Sequence, residues 1–161
     1  MNWTLRHISE IRIGGLPILI FKIKRLFYRI IWCFSPLWAI PGVLIIRVIR
    51  PWILIRMQFI NGNRIGHFSI TAAIYFARQS LHSKNKRTLD LFFIWTIWPC
   101  INRQWDKMVR RQLNVYWWVE HLMYFNRLIP RGEAHVVPPS YPDRDHSGLI
   151  HRTKVRFEFT V

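Results

Sequence analysis

Residues 61–67, Asn-Gly-Asn-Arg-Ile-Gly-His, form a polar turn with two glycines between the apolar run 53–60 (ILIRMQFI) and a helix-patterned segment starting near Phe68. The run has the length and apolar density of a buried parallel strand, with Arg56 and Gln58 directed to a wetter face or placed near its end. After the turn, Ile70, Ala73, Ile74, Ala77 and Leu81 recur at the spacing of one helix face. A polar turn at 83–87 then leads into 89–94 (LDLFFI), a second short buried strand. Two strands joined through a helix predict a right-handed βαβ unit, which makes 61–67 the first strand-to-helix turn of an open α/β sheet. Ligands of such sheets bind outside the carboxyl ends of the strands, where backbone N–H groups face solvent.

Downstream, Trp105, Met108, Val109 and Leu113 mark a second amphipathic helix with Arg103, Lys107, Arg110 and Arg111 on its outer face. Val115, Trp118, Leu122, Phe125 and Ile129 mark a third, closed by Pro130 and Gly132. A short strand is expected at 134–137, and 138–148 has the composition of a surface loop. Residues 155–161 (VRFEFTV) alternate like a half-exposed strand, and their position at the end of the sequence suggests an interrupted domain.

The chain has 161 residues, of which 51% are hydrophobic, so it has material for one ordinary core or half of a two-domain enzyme. Its 24 Lys and Arg against 8 Asp and Glu give a net charge of +16. Nine of those cations and a single acid, Glu10, fall in 1–56, so that part carries +8 and the remainder also +8. Basic charge spread so evenly predicts an anionic partner such as phospholipid, a phosphorylated small molecule or nucleic acid. Nucleic acid ranks last, because the cations are interleaved with apolar runs too long for an exposed groove. Cys33 and Cys100 lie far apart, which excludes a disulfide framework and a thiolate metal box and fits a reducing compartment.

Residues 30–46 (IIWCFSPLWAIPGVLII) are an uncharged run of 17, at the short end of what spans a bilayer as a helix. Pro36, Pro41 and Gly42 interrupt it, so a kinked or re-entrant hairpin competes with a straight span. Lys22, Lys24, Arg25 and Arg29 flank one end and Arg47, Arg50 and Arg56 the other, which suits a segment held to one anionic membrane face. The competing reading is a buried core segment.

Chemistry is suggested first by the 61–67 turn. It is not a dinucleotide fingerprint, because Gly62 and Gly66 are spaced GxxxG. The two glycines permit close backbone approach or positive φ, and Arg64 offers a planar fork for phosphate. His67 stands at a helix N-terminus, where the dipole disfavours the imidazolium and leaves a neutral ring able to accept a proton. In the competing reading, Arg64 and His67 cap the helix and bind water. Asp143, Arg144, Asp145, His146 and His151 form a polar cluster that fits no familiar metal spacing, and Asp145 is equally suited to accept N–H bonds from Ser147 and Gly148 in an Asx-type turn. His7, His82, His121 and His135 are isolated and are assigned no role. There is no GxSxG elbow, P-loop or HExxH.

The strings NRIGHF at 63–68, LDLFFI at 89–94, Asn-Arg-Gln-Trp at 102–105, RLIPRGEAHVVP at 127–138 and RDHSGLI at 144–150 agree in order and spacing with a known pattern. Over residues 53–160 the chain resembles the amino-terminal part of a bacterial glycosyltransferase family associated with surface-polysaccharide and lipopolysaccharide gene clusters. The resemblance implies a GT-B arrangement, in which a first Rossmann-like domain holds the acceptor and a second holds the sugar nucleotide. The expected fold is therefore α/β. A membrane-associating, basic and apolar helical segment at 1–52 precedes a partial Rossmann-like open sheet at 53–161. By the same resemblance His67 is a candidate catalytic base, and Asn63, Arg64, Gly66 and Asp145 are candidate substrate contacts, with no metal. No cofactor is expected on this chain alone, and a nucleotide sugar is implied for the complete enzyme.

The expected partners are an anionic membrane surface, a lipid-linked or saccharide acceptor, and a separately encoded carboxy-terminal half. The expected place is the cytoplasmic face of the bacterial inner membrane. On this reading the chain is a truncated or split transferase, the acceptor-side half, inactive by itself. The alternative is a small basic membrane protein without catalysis.

Overall fold

The computed structural model describes residues 3–81, 87–95, 100–138, 145 and 148–153. The order is α1 (Trp3–Val48), β1 (Leu54–Phe59), α2 (Ile65–Leu81), β2 (Thr88–Phe93), α3 (Arg103–Gln112), α4 (Val119–Leu128), a 3-10 turn (Gly132–His135) and α5 (Leu149–Arg152). β1 and β2 pair in parallel, with Arg56 opposite Asp90 and Phe59 opposite Phe93. The α/β class read from the sequence is thus present as a small two-stranded parallel sheet preceded by a long helix.

Single parallel bridges extend the sheet on both sides, Met57 to Val136 and Phe92 to Val115. The strand expected at 134–137 shrinks to the first of these. Asn126 Nδ2 donates to Gly132 O at 2.8 Å, and this tether turns the chain through a 3-10 turn before Val136 reaches β1. The Val115 bridge replaces what the sequence pattern assigned to the start of a third helix, and α4 begins only at Val119.

Because side chains alternate along a strand, the two faces of the sheet build two cores. Met57, Leu91 and Phe93 pack with Ala39, Val43 and Ile46 of α1 and with Val119, Leu122 and Met123 of α4. On the other face Phe92 packs with Phe68, Ala72 and Tyr75 of α2 and with Val109 and Leu113 near α3. Each large side chain so buried contributes about 1.5–3 kcal/mol. Of the expected stripe of α2, Ile74 and Ala77 are buried and Ile70 and Ala73 partly so, while Leu81 at its end is half exposed; Phe68, Ala72 and Tyr75 are buried as well and face the second core.

Arg56 and Gln58 share the Phe92 face. Cross-strand pairing explains Arg56: its Nε and Nη2 donate to Asp90 Oδ1 and Oδ2 at 2.7 and 2.8 Å. Tyr75 O–H donates to Asp90 Oδ2 at 2.9 Å, closing a polar cluster beside the second core. The hydrogen bonds to Asp90 hold the Arg56 pKa above its usual value.

No hairpin forms at Pro36 and Pro41. α1 stays helical through Pro17, Pro36 and Pro41, and its one non-helical residue is Gly15, at φ 60° and ψ −154°. Proline at 36 removes the N–H that would bond the Trp32 carbonyl, and the Ser35 hydroxyl donates to that same oxygen at 2.8 Å. The orphaned acceptor is therefore satisfied, and the helix continues. Within α1, residues Arg12–Val48 are long and apolar enough to cross a membrane by length and composition. Most of this stretch is not covered by protein: Leu37, Phe27 and Ile45 are 75%, 62% and 61% exposed.

Candidate functional site

The turn sits where the strand pattern places it, at the carboxyl end of β1. Asn61 Oδ1 accepts the Asn63 N–H at 3.1 Å, so the first asparagine folds the turn on itself. Gly62 is a close-approach position: a Cβ there would lie 2.8 Å from Ile94 Cγ2, and Gly62 O accepts the Ile101 N–H at 3.0 Å. Gly66 differs. It lies in the first turn of α2, and nothing stands within 4 Å of where its Cβ would be. Neither glycine has positive φ.

Arg64 immediately precedes α2, its side chain is exposed, and its carbonyl accepts the Phe68 N–H at 2.9 Å. Asn63 and His67 are half-buried beside it. The first-turn carbonyls are tied by hydroxyls, Ser69 Oγ to Gly66 O at 3.1 Å and Thr71 Oγ1 to His67 O at 2.7 Å. Asn63, Arg64, Gly66 and His67 thus form one contiguous patch on the rim of the sheet, with open space over Gly66. Such a patch can receive a planar anion on the guanidinium while an imidazole stands within a helical turn.

Asp145 lies just before α5, which packs against α2. Its Oδ2 accepts the Ile150 N–H at 2.8 Å and its carbonyl accepts the Gly148 N–H at 3.3 Å. The carboxylate therefore organises the start of α5 through Ile150; Ser147, named in the expected Asx-type turn, lies outside the described residues. Residues 143, 144 and 146 of the polar cluster lie outside the described residues, and among the described residues no cluster of three metal-ligating side chains occurs.

Two further recesses escaped sequence reading. A cleft of about 450 Å³ is lined by Arg127, Pro130, Arg131, Gly132, Glu133 and Val136. It lies toward the amino end of the strands, since His135 Nδ1 is 2.7 Å from Ile55 O and Val136 pairs in parallel with Met57. It is therefore remote in topology from the 61–67 turn. The second, about 470 Å³, lies between α1 and α4 and is lined by Lys24, Phe27, Tyr28, Ile31, Trp117, Glu120 and His121.

In that second recess Tyr28 O–H donates to Glu120 Oε1 at 2.6 Å. His121 is 1% exposed and ringed by Trp32, Trp38 and Trp117 at centroid distances of 4.5, 5.2 and 5.9 Å. Its Nδ1 has no hydrogen-bond partner among the described residues. Burial pushes the His121 pKa down and the Glu120 pKa up, so both groups are drawn toward their neutral forms. The only sequence signal for this site is the mixture of indoles and ionisable groups at 117–121, which by local pattern alone is indistinguishable from an ordinary amphipathic helix. Comparison with protein-family models, with curated proteins and with solved structures gave no match for this chain.

Proposed function

We propose that the chain is the acceptor-side part of a membrane-associated glycosyltransferase of GT-B type. The complete enzyme transfers a sugar from a nucleotide sugar to a lipid-linked or saccharide acceptor at the cytoplasmic membrane face. The observation that carries this reading is the rim patch at the carboxyl end of a parallel strand, where Arg64 is exposed and Gly66 faces open space. In it Arg64 pairs with the acceptor phosphate, Asn63 hydrogen-bonds the acceptor, and the Gly66 backbone allows it to approach closely. His67 is the base that takes the acceptor hydroxyl proton, and Asp145 holds α5 against the same edge. The donor sugar nucleotide belongs to a second Rossmann-like half. The uncovered apolar surface of α1 and its cations support residence at an anionic membrane surface.

The test is equilibrium binding of a prenyl-phosphate-linked saccharide to the chain in nanodiscs, with the free saccharide and a nucleotide sugar as separate arms. Saturable binding of an acceptor, weakened at least tenfold by Arg64→Ala at unchanged melting temperature, supports the reading. Acceptor binding that is absent, or indifferent to Arg64→Ala, overturns it. The exposed apolar face of α1 equally favours a small basic membrane protein without catalysis, which binds vesicles and none of these ligands.

A further inference from the structure

The recess between α1 and α4 is the most chemically distinctive region outside the rim patch, and it is amphipathic along its length. Lys24 stands at one end and Phe27 and Ile31 follow on the same helix face. Seven residues of helix separate Lys24 from Ile31, about 10 Å along the axis. Trp117, just before α4, forms the facing wall, and the imidazole of His121 on α4 closes it on the same side. The volume falls within the roughly 300–1,000 Å³ typical of small-molecule sites.

Three observations identify the occupant. The mouth is apolar and uncovered, with Phe27 62%, Trp117 51% and Ile31 37% exposed, and it is continuous with the apolar surface of α1. Lys24 puts a cation at one end of the recess, where an anionic head group is complementary. The deeper wall offers a polar group in need of a partner, because His121 Nδ1 is buried without a hydrogen bond among the described residues. A wholly apolar occupant would leave that atom unsatisfied, and a wholly polar one would leave the indoles wet. An amphiphile with a charged head, a polar linkage and a hydrocarbon chain meets all three requirements.

We propose that the groove between α1 and α4 is a site for a single anionic phospholipid, with the phosphate at Lys24, an acyl chain along Phe27, Ile31 and Trp117, and an ester carbonyl or hydroxyl at His121. The Glu120 carboxyl at this wall does not exclude an anion. It is buried, it is engaged by the Tyr28 hydroxyl, and burial favours its neutral form. The site is independent of the rim patch, so the lipid is a structural ligand that fixes how α1 lies on α4 at the membrane, whatever reaction the chain serves.

Native mass spectrometry of the chain released from non-ionic detergent tests this with added phosphatidylglycerol, phosphatidylcholine or diacylglycerol. A one-to-one adduct is expected with phosphatidylglycerol, at least fivefold more abundant than with either other lipid. Lys24→Ala reduces it to the phosphatidylcholine level, whereas Arg103→Ala, which removes a cation on exposed α3, leaves it unchanged. Ile31→Trp fills the groove and abolishes the adduct, and Phe27→Ser at the exposed mouth weakens it severalfold should Ile31→Trp fail to fold. A chain-brominated phosphatidylglycerol quenches indole fluorescence, and Trp117→Phe removes the largest share of that quenching. Multiple adducts of equal abundance for all three lipids, or equal losses for Lys24→Ala and Arg103→Ala, overturn the proposal.

Discussion

The Arg47 guanidinium near the end of α1 grips Asn126 in the last turn of α4. Nε and Nη2 donate to Asn126 Oδ1 at 3.3 and 3.0 Å, and Nη2 also reaches Asn126 O at 3.2 Å. The same guanidinium donates to Ile129 O and Pro130 O at 3.1 and 2.7 Å, so it binds four acceptors at and just past the carboxyl end of α4. One cation thus joins the apolar first helix to the α/β unit. Asn126 is fully buried and passes the constraint on by donating to Gly132 O.

Arg47→Ala is expected to lower unfolding stability by about 2 kcal/mol, since it removes several charge-assisted hydrogen bonds and leaves carbonyls unpaired. Arg47→Lys recovers less than half, because an ammonium cannot present the same fork. Denaturant melts in a fixed detergent measure both.

Gly132 is the position where a side chain cannot be admitted. A Cβ there would collide with the Asn126 carbonyl oxygen, so Gly132→Ala forces backbone movement and is expected to cost about 3 kcal/mol or more. Its neighbour gives the opposite result. Arg131 sits at φ 63°, in the left-handed region, and Arg131→Gly is expected to raise stability by about 0.5–1 kcal/mol. A thermal-shift comparison of the two variants decides the pair.

Ser35→Ala tests how α1 passes through Pro36. Without the hydroxyl the Trp32 carbonyl loses its partner, and the expected loss is about 1 kcal/mol together with a larger bend. Spin-label distances across residues 27 and 44 report the bend. An unchanged distance distribution together with unchanged stability contradicts the assignment.

Arg56→Met leaves the Asp90 carboxylate, with its side chain 9% exposed, without its cation. The expected cost is about 3 kcal/mol, and the double variant Arg56→Met with Asp90→Leu recovers most of it. A double-mutant cycle measured by urea denaturation gives the coupling.

Stability is expected to fall in mild acid. His121 and His135 both have folded pKa values below the ordinary 6.5, each chiefly through burial, and His135 is lowered further by Arg50 and Arg47. The unfolded chain then binds protons more readily, so their contribution is complete above about 6.5 and is lost as pH falls from there toward the folded values. Glu120, raised by burial, acts with the opposite sign: its contribution is complete below the ordinary 4.5 and is lost as pH rises through its folded value. Melting temperatures from pH 7.5 to 5.5 should decline, and His121→Phe should flatten the slope.

Short-range pattern carried much of this fold. The run at 53–60, the polar turn and the second run predict the parallel pair and place the turn at the carboxyl end of β1, because periodicity and turn chemistry act over a few residues. The same locality made the outer face of α3 legible, where Arg103, Lys107, Arg110 and Arg111 are exposed. It also located Asn63, Arg64, Gly66 and His67 as one patch, since neighbours in a turn are neighbours in space.

Only the tertiary structure decided what joins distant segments. Tyr28 meets Glu120 across 92 positions and Arg47 meets Asn126 across 79, and no local pattern records either pair. Pro36 and Pro41 suggested a hairpin because the sequence does not reveal that the Ser35 hydroxyl reaches the Trp32 carbonyl. His121 and His135 read as isolated residues and prove to be buried, one within three indoles and the other against the Ile55 carbonyl. Sequence by itself determined the strands, the turn and the basic, apolar character of the first helix, all properties of neighbouring residues. The packing of α1 on α4, the lining of the groove between them and the environment of each buried histidine were fixed by contacts between remote parts of the chain, which exist only once it is folded.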